Sequence, residues 1–182
     1  LDGVALIRFF GHFYSGKIKF LVNDLLMHIK PLAPVFLPIN KYGSQAKESS
    51  LQINNAYESD EQMLIFPAGL CSRLQHGKIK DLEWKKTFIA KAVQSQRDII
   101  PIYFEGRNST FFYRFAQIRK CIGLKFNIEL IYLPDEMFNS KNKTFDIYIG
   151  KPIPWQTFDK SKSLQEWAQI VKEKVYQIKK NQ

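Results

Sequence analysis

Gln62-Met63-Leu64-Ile65-Phe66-Pro67-Ala68-Gly69-Leu70-Cys71-Ser72-Arg73 is the stretch on which the fold of this 182-residue chain turns. Its first five residues form a short apolar run of strand length, and Pro67-Ala68-Gly69 stops that run with a turn signal. Gly69 allows a tight turn and close approach of the backbone to a ligand. Ser72 offers a hydroxyl that donates or accepts, and Arg73 a forked cation matched to phosphate. The same residues also fit a plain strand exit with a solvated arginine.

Moving outward, a second exit of the same kind follows. Ile99–Phe104 is a buried strand run that opens into Glu105-Gly106-Arg107-Asn108-Ser109. Gly106 permits close approach, Arg107 supplies another anion-binding fork, and Asn108-Ser109 can cap a following helix. A cap-and-turn without ligand is the alternative; two such exits in one domain favour an anion pocket. Between the exits, Glu83–Gln96 places Trp84, Phe88, Ile89, Ala92 and Val93 on one helical face. Upstream, Asp2–Tyr14 has helical spacing, Lys17–Val22 and Val35–Ile39 fit strands, and Ser44–Ser59 fits a helix capped at Ser44. Downstream, Phe126–Tyr132 and Phe145–Ile149 fit strands, and Leu164–Lys179 an amphipathic helix with a basic end suited to the helix dipole. Strands alternating with helices predict a single α/β domain over residues 1–182, its sheet mixed and largely parallel with helices on its flanks. In such sheets ligands bind beyond the carboxyl ends of strands, which directs attention to the loops after Phe66 and Phe104.

Composition narrows the classes. With 45% hydrophobic residues and 15 Phe the chain is too apolar for disorder. Its apolar runs fall far short of the ~20 residues of a membrane span, and no signal-peptide pattern is present. The formal net charge of +10 attracts polyanions: nucleic acid, an anionic leaflet, phosphorylated substrates or an acidic carrier protein. Two cysteines without metal-ligand spacing and three histidines make a metal site unexpected. Basic residues cluster at Lys78, Lys80, Lys85 and Lys86 and at Lys172, Lys174, Lys179 and Lys180, as solvated faces or as a bilayer-docking surface. Phe111-Phe112-Tyr113-Arg114-Phe115, with Arg119 nearby, reads as an interfacial segment or as core. Leu1 is not a methionine and opens directly into an ordered pattern, which suggests a fragment or processed chain.

These residues resemble the lysophospholipid acyltransferases of the PlsC type, and within them the bacterial hemolysin-like or glycerol acyltransferase branch, over nearly the whole chain. Members carry a His-x4-Asp box opening a helix and, roughly 65–75 residues later, a Phe-Pro-Glu-Gly-Thr-Arg-Ser type box, then a strand with a proline-containing run. Here Asp2 heads the first helix, Gly69 falls at the right distance, and Ile100-Pro101-Ile102 supplies the proline run. Ala68, Leu70 and Cys71 depart from the second box, whereas Ser72 and Arg73 match it.

The resemblance implies a glycerol-3-phosphate acyltransferase-like fold and an O-acyltransferase of membrane lipid synthesis. An acyl group would pass from acyl-CoA or acyl carrier protein to a hydroxyl of a lysophospholipid, glycerol phosphate or lyso-aminolipid. No metal or tightly bound cofactor is implied, the thioester being a co-substrate. Asp2 becomes the catalytic aspartate, orienting a histidine base that falls before Leu1. A piece lacking that base should lose most activity, since the base contributes about 10²–10⁴-fold in rate. Gly69, Ser72, Arg73, Gly106, Arg107 and Lys17 become the substrate-binding residues. The implied partners are the acyl thioester, the lysolipid or glycerol phosphate and an anionic membrane surface, with a peripheral location on the cytoplasmic face of the inner membrane.

Two rival classes remain: a non-catalytic lipid-binding relative, and a basic nucleic-acid-binding module, the latter without any recognised motif. His76-Gly77-Lys78-Ile79-Lys80-Asp81 also spells His-x4-Asp, but after the second box and in a basic turn, which points to surface. His12 and His28 read as packed or solvated.

Overall fold

A computed structural model describes residues 2–22, 30–39, 44–75, 77–124 and 126–179. The expectations at His28, His76 and Lys180 lie outside these residues.

Alternating burial along β1 (Ile18–Val22) follows its sequence: Ile18, Phe20 and Val22 point inward, Lys19 and Leu21 less so. β1 is the centre of a parallel three-stranded sheet, flanked by β2 (Phe36–Pro38) and β3 (Gln62–Leu64). Phe20 aligns with Phe36 on one side and Leu64 on the other. α2 (Ser44–Glu58) lies in the connection that takes the chain from β2 at one edge of this sheet to β3 at the other, and it buries Ser49, Ala56 and Tyr57. The cap foreseen at Ser44 concerns a side chain outside the described set. α1 (Asp2–Phe13) lays Leu6 and Phe10 on the sheet with Ile18, Phe20, Val22 and Phe36, forming a first core.

A hairpin of β4 (Arg73–Gln75) and β5 (Lys78–Lys80) follows the Pro67-Ala68-Gly69 turn, and α3 (Thr87–Gln94) comes next. α3 starts later than the sequence expectation: ahead of it, the carbonyls of Asp81, Leu82 and Trp84 accept from Lys172, Gln165 and Gln169 of the C-terminal helix. That helix, α6 (Leu164–Ile178), starts at a capping box: Glu166 N–H donates to Ser163 Oγ at 3.2 Å, and Ser163 N–H to Glu166 Oε2 at 2.7 Å. Ala168, Val171 and Val175 of α6 meet Trp84, Phe88 and Ile89 in a second core.

β6 (Ile102–Glu105) pairs antiparallel with β7 (Asp146–Ile149) and stands apart from the parallel sheet. By the strand's two-residue alternation, Ile102 and Phe104 pack on the first core and Tyr103 on the second. The sheet system is thus mixed, flanked by helices, and the α/β expectation holds. Between β6 and β7 lies a helical arm: α4 (Thr110–Cys121), a 3-10 turn (Ile128–Tyr132) and α5 (Leu133–Phe138). Ser109 caps α4, its Oγ accepting from Phe112 N–H at 3.2 Å, as its position after the second exit predicts.

The strand expected over Phe126–Tyr132 is corrected to that 3-10 turn. Its apolar alternation suits a strand, but Glu129 in its middle is fully buried, and Pro134 lies in the first turn of the next helix. Glu129 meets Arg73 at 2.7 Å and Arg119 at 2.8 Å. A buried carboxylate needs such partners, and this one fixes the local backbone more firmly than the apolar pattern does.

Candidate active site

The two strand exits converge. Two residues beyond β3, Phe66 C=O accepts from Gly69 N–H at 2.9 Å, closing the turn that the Pro-Ala-Gly signal foretells. Gly69 has φ +69, a backbone conformation that calls for glycine, and the flexible Lys85 ammonium lies 3.1 Å from where a Cβ would stand. The loop then carries Leu70, Cys71 and Ser72 along the wall of a cavity of about 590 Å³. Gly106, beyond β6, lines the same cavity; a Cβ on it would come within 2.3 Å of the Phe104 ring. Asp2 joins them from the first turn of α1, where the helix dipole favours its negative charge, and it accepts from Gly3 N–H at 2.8 Å.

The cavity runs back along β3 and β6, which have no ladder between them. At the strand entries it is lined by Tyr57, Gln62, Arg97 and Asp98, and at the exits by Asp2, Cys71, Ser72 and Gly106. Most of the wall is apolar: Leu6, Phe9, Phe10, Leu64, Ile102 and Phe104 among others. The Tyr57 hydroxyl is buried without a hydrogen-bond partner among the described residues, and burial pushes its pKa up to about 12. The Arg97 guanidinium beside it donates to the carbonyls of Glu61 at 2.7 Å and Tyr57 at 3.3 Å.

Ser72 is held from below. Its hydroxyl donates to Asp81 at 2.5 Å, whose other carboxylate oxygen accepts from the Trp84 indole at 3.1 Å. Asp81 N–H donates to Tyr176 Oη at 3.1 Å, and Lys172 donates to the Asp81 and Leu82 carbonyls at 3.0 and 2.8 Å. Asp81 is therefore a half-buried organiser of the Ser72 loop, where the sequence pointed to a surface turn. The signal was weak, since Asp81 lies far in the chain from Tyr176. Lys172, read as part of a solvated basic face, is a structural donor.

Two expected anion donors stand elsewhere. Arg73 is absent from the cavity wall: its guanidinium is engaged by Glu129, by the carbonyls of Cys71 and Ser72 at 3.0 and 3.4 Å, and lies over the Phe112 ring. It therefore braces the loop from behind. Lys17 lies at the entry end of β1, paired with Asp60, at the opposite end of the sheet from the exits. Arg107 is exposed directly after Gly106. Cys71 has a raised thiol pKa, mainly from burial, with the Asp2 charge adding to it and the Arg73 charge opposing it. Among the described residues no group of three or more His, Cys, Asp or Glu could hold a metal ion, and no helix is long and apolar enough to cross a membrane.

The chain is 56% identical over 177 residues to a lyso-glycine lipid O-acyltransferase of Bacteroides thetaiotaomicron and 54% identical over 177 residues to one of Phocaeicola vulgatus. Each match covers 97% of the chain and, respectively, 65% and 63% of the relative's length. No solved structure matches. The profile of the acyltransferase family matches residues 1–182, end to end, and the chain belongs to that family.

Proposed function

We propose that the complete polypeptide transfers a fatty acyl group from an acyl thioester to the hydroxyl of a lysolipid, with a lyso-glycine lipid as acceptor. The observation that carries this reading is a largely apolar cavity with Asp2, Ser72 and Gly106 gathered at one end. Apolar walls suit a fatty chain, and polar groups at one end suit its reacting head. The relatives' names supply the acceptor class. A lipid built on glycine through its amino group offers a carboxylate in place of a phosphate. The engagement of Arg73 with Glu129 is compatible with such an acceptor, and exposed Arg107 is the cation next to the cavity end.

In the reaction, a histidine upstream of Leu1 takes the proton of the acceptor hydroxyl, and Asp2 orients that imidazole and stabilises its charge. The alkoxide oxygen attacks the thioester carbonyl, the C–S bond breaks, and the thiolate leaves with the proton returned by the imidazolium. The thioester is consumed as a co-substrate, and no tightly bound cofactor takes part. Acyl-CoA and acyl carrier protein are both anionic and suit the +10 charge. Work at the cytoplasmic face of the inner membrane, where thioester and lipid meet, follows from the same reading.

The test is acyl transfer by the complete polypeptide to a panel of lyso-glycine lipids, lysophospholipids and glycerol phosphate, with each donor in turn. Transfer should favour the glycine lipid and fall about 10²–10⁴-fold in Asp2→Asn, within the range for impaired proton transfer. Absence of transfer to every acceptor would overturn the reading.

A further inference from the structure

Residues 110–124 and 126–138 form an arm that rests on the molecule by one side and leaves the other bare. Phe112, Tyr113 and Ala116 of α4 are buried, whereas Phe111 is 54% exposed, Ile118 56% and Ile122 68%. The exposure continues at Phe126 (83%), Ile131 (72%) and Phe138 (70%). Isolated apolar residues are ordinary on a surface, but a continuous segment of this size marks an interface. Ionisable groups along it are one-sided. Between residues 107 and 143, Arg107, Arg114, Lys120, Lys141 and Lys143 are exposed against Asp135, while the carboxylates of Glu129 and Glu136 are buried.

The arm is rigidly tied to the site. Glu129 joins it to Arg73, next to Ser72, and Glu136 accepts from Ser109 N–H at 2.6 Å at the exit that follows Gly106. Phe111 and Phe115 stack at 5.8 Å, with Tyr132 edge-on to both, locking α4 to the 3-10 turn.

We propose that this arm lies on an anionic bilayer, its apolar face in the interfacial hydrocarbon and its cations at the phosphate level. The proposal rests on the reading that the acceptor is a lipid. An apolar face rimmed by one sign of charge fits a lipid surface with anionic headgroups; a second copy would bring cations against cations. Because the arm adjoins the Gly106 end of the cavity, docking sets that end toward the leaflet from which an acceptor would enter.

The test is sedimentation of the complete polypeptide with vesicles of phosphatidylglycerol and phosphatidylethanolamine, against phosphatidylcholine alone. Two variants are compared: Ile122→Ser/Phe126→Ser/Ile131→Ser, and Arg114→Glu/Lys120→Glu. Each cation near the surface is worth about fivefold in partition, so the charge variant should bind anionic vesicles more than tenfold more weakly. The apolar variant should lose binding to a similar extent. Lys151→Glu/Lys160→Glu, with the same charge change outside the arm, should stay within about twofold of the parent. Because the altered side chains are exposed, melting temperatures should not change, and transfer to an acceptor in detergent micelles should persist. Unchanged vesicle binding in both arm variants overturns the proposal. So does a dimer that the apolar variant dissociates. A parent without transfer activity whose vesicle binding still follows the arm would defeat the proposed function and leave the arm's role standing.

Discussion

At Cys71, three influences on a single thiol are separable. Burial raises its pKa most, the Asp2 carboxylate raises it further, and the Arg73 guanidinium lowers it. Only the thiolate is alkylated, so the pH midpoint for alkylation of Cys71 should lie above that of an ordinary cysteine. Replacing Asp2 by Asn removes an anion that disfavours ionisation, so the midpoint should move down while burial holds it above ordinary. The measurement is iodoacetamide alkylation against pH in a Cys121→Ser background, which removes the exposed second thiol. An unmoved midpoint in Asp2→Asn would refute the electrostatic contact between α1 and the Ser72 loop. Because Asp2 is also the residue proposed to act in the reaction, the titration checks its placement without any substrate. What was legible here was local: Gly69 and Ser109 announce a turn and a cap within a few residues of themselves. Asp81 and Tyr57 were not legible, because their significance comes from Ser72, Tyr176 and a cavity that only the folded chain assembles.

Among the elements, the arm depends on one carboxylate. Glu129 lies between Arg73 of β4 and Arg119 of α4, all three nearly dry. Removing one member of a buried ionic group leaves its partners charged and unpaired, at a cost of about 3–5 kcal/mol. Glu129→Ala should therefore destabilise the protein by that amount in urea unfolding, far more than the exposed-surface changes on the same arm. A loss below about 1 kcal/mol, typical of a surface pair, would mean that the arm is held by packing alone. This element also shows why the sequence misled. Phe126, Ile128, Leu130 and Tyr132 alternate as a strand should, and nothing within the segment reveals that Glu129 is claimed by arginines 10 and 56 positions back in the chain. Helices with self-contained signals fared better: the apolar stripe of α6 is visible in its own residues.

For the whole molecule, the cavity separates two hydrophobic cores. One is built by α1 and the parallel sheet, the other by α3 and α6, and β6 contributes to each from its opposite faces. The edges of β3 and β6 that line the gap exchange no ladder hydrogen bonds. The empty protein should accordingly melt as two loosely linked units, with a calorimetric enthalpy larger than the van't Hoff value. A fatty chain lying in the gap would touch both units at once and make them unfold together. Scanning calorimetry with a non-hydrolysable long-chain thioester analogue at a hundredfold its dissociation constant should sharpen the transition and add about 2.7 kcal/mol of stability. A single sharp two-state transition without ligand would show that β6 alone already joins the halves. If the halves do melt separately, cooperativity in this protein is borrowed from its cargo. Thermal lability would then track how well the acyl pool is supplied, and starvation for fatty chains would be read by the cell's proteases as partial unfolding.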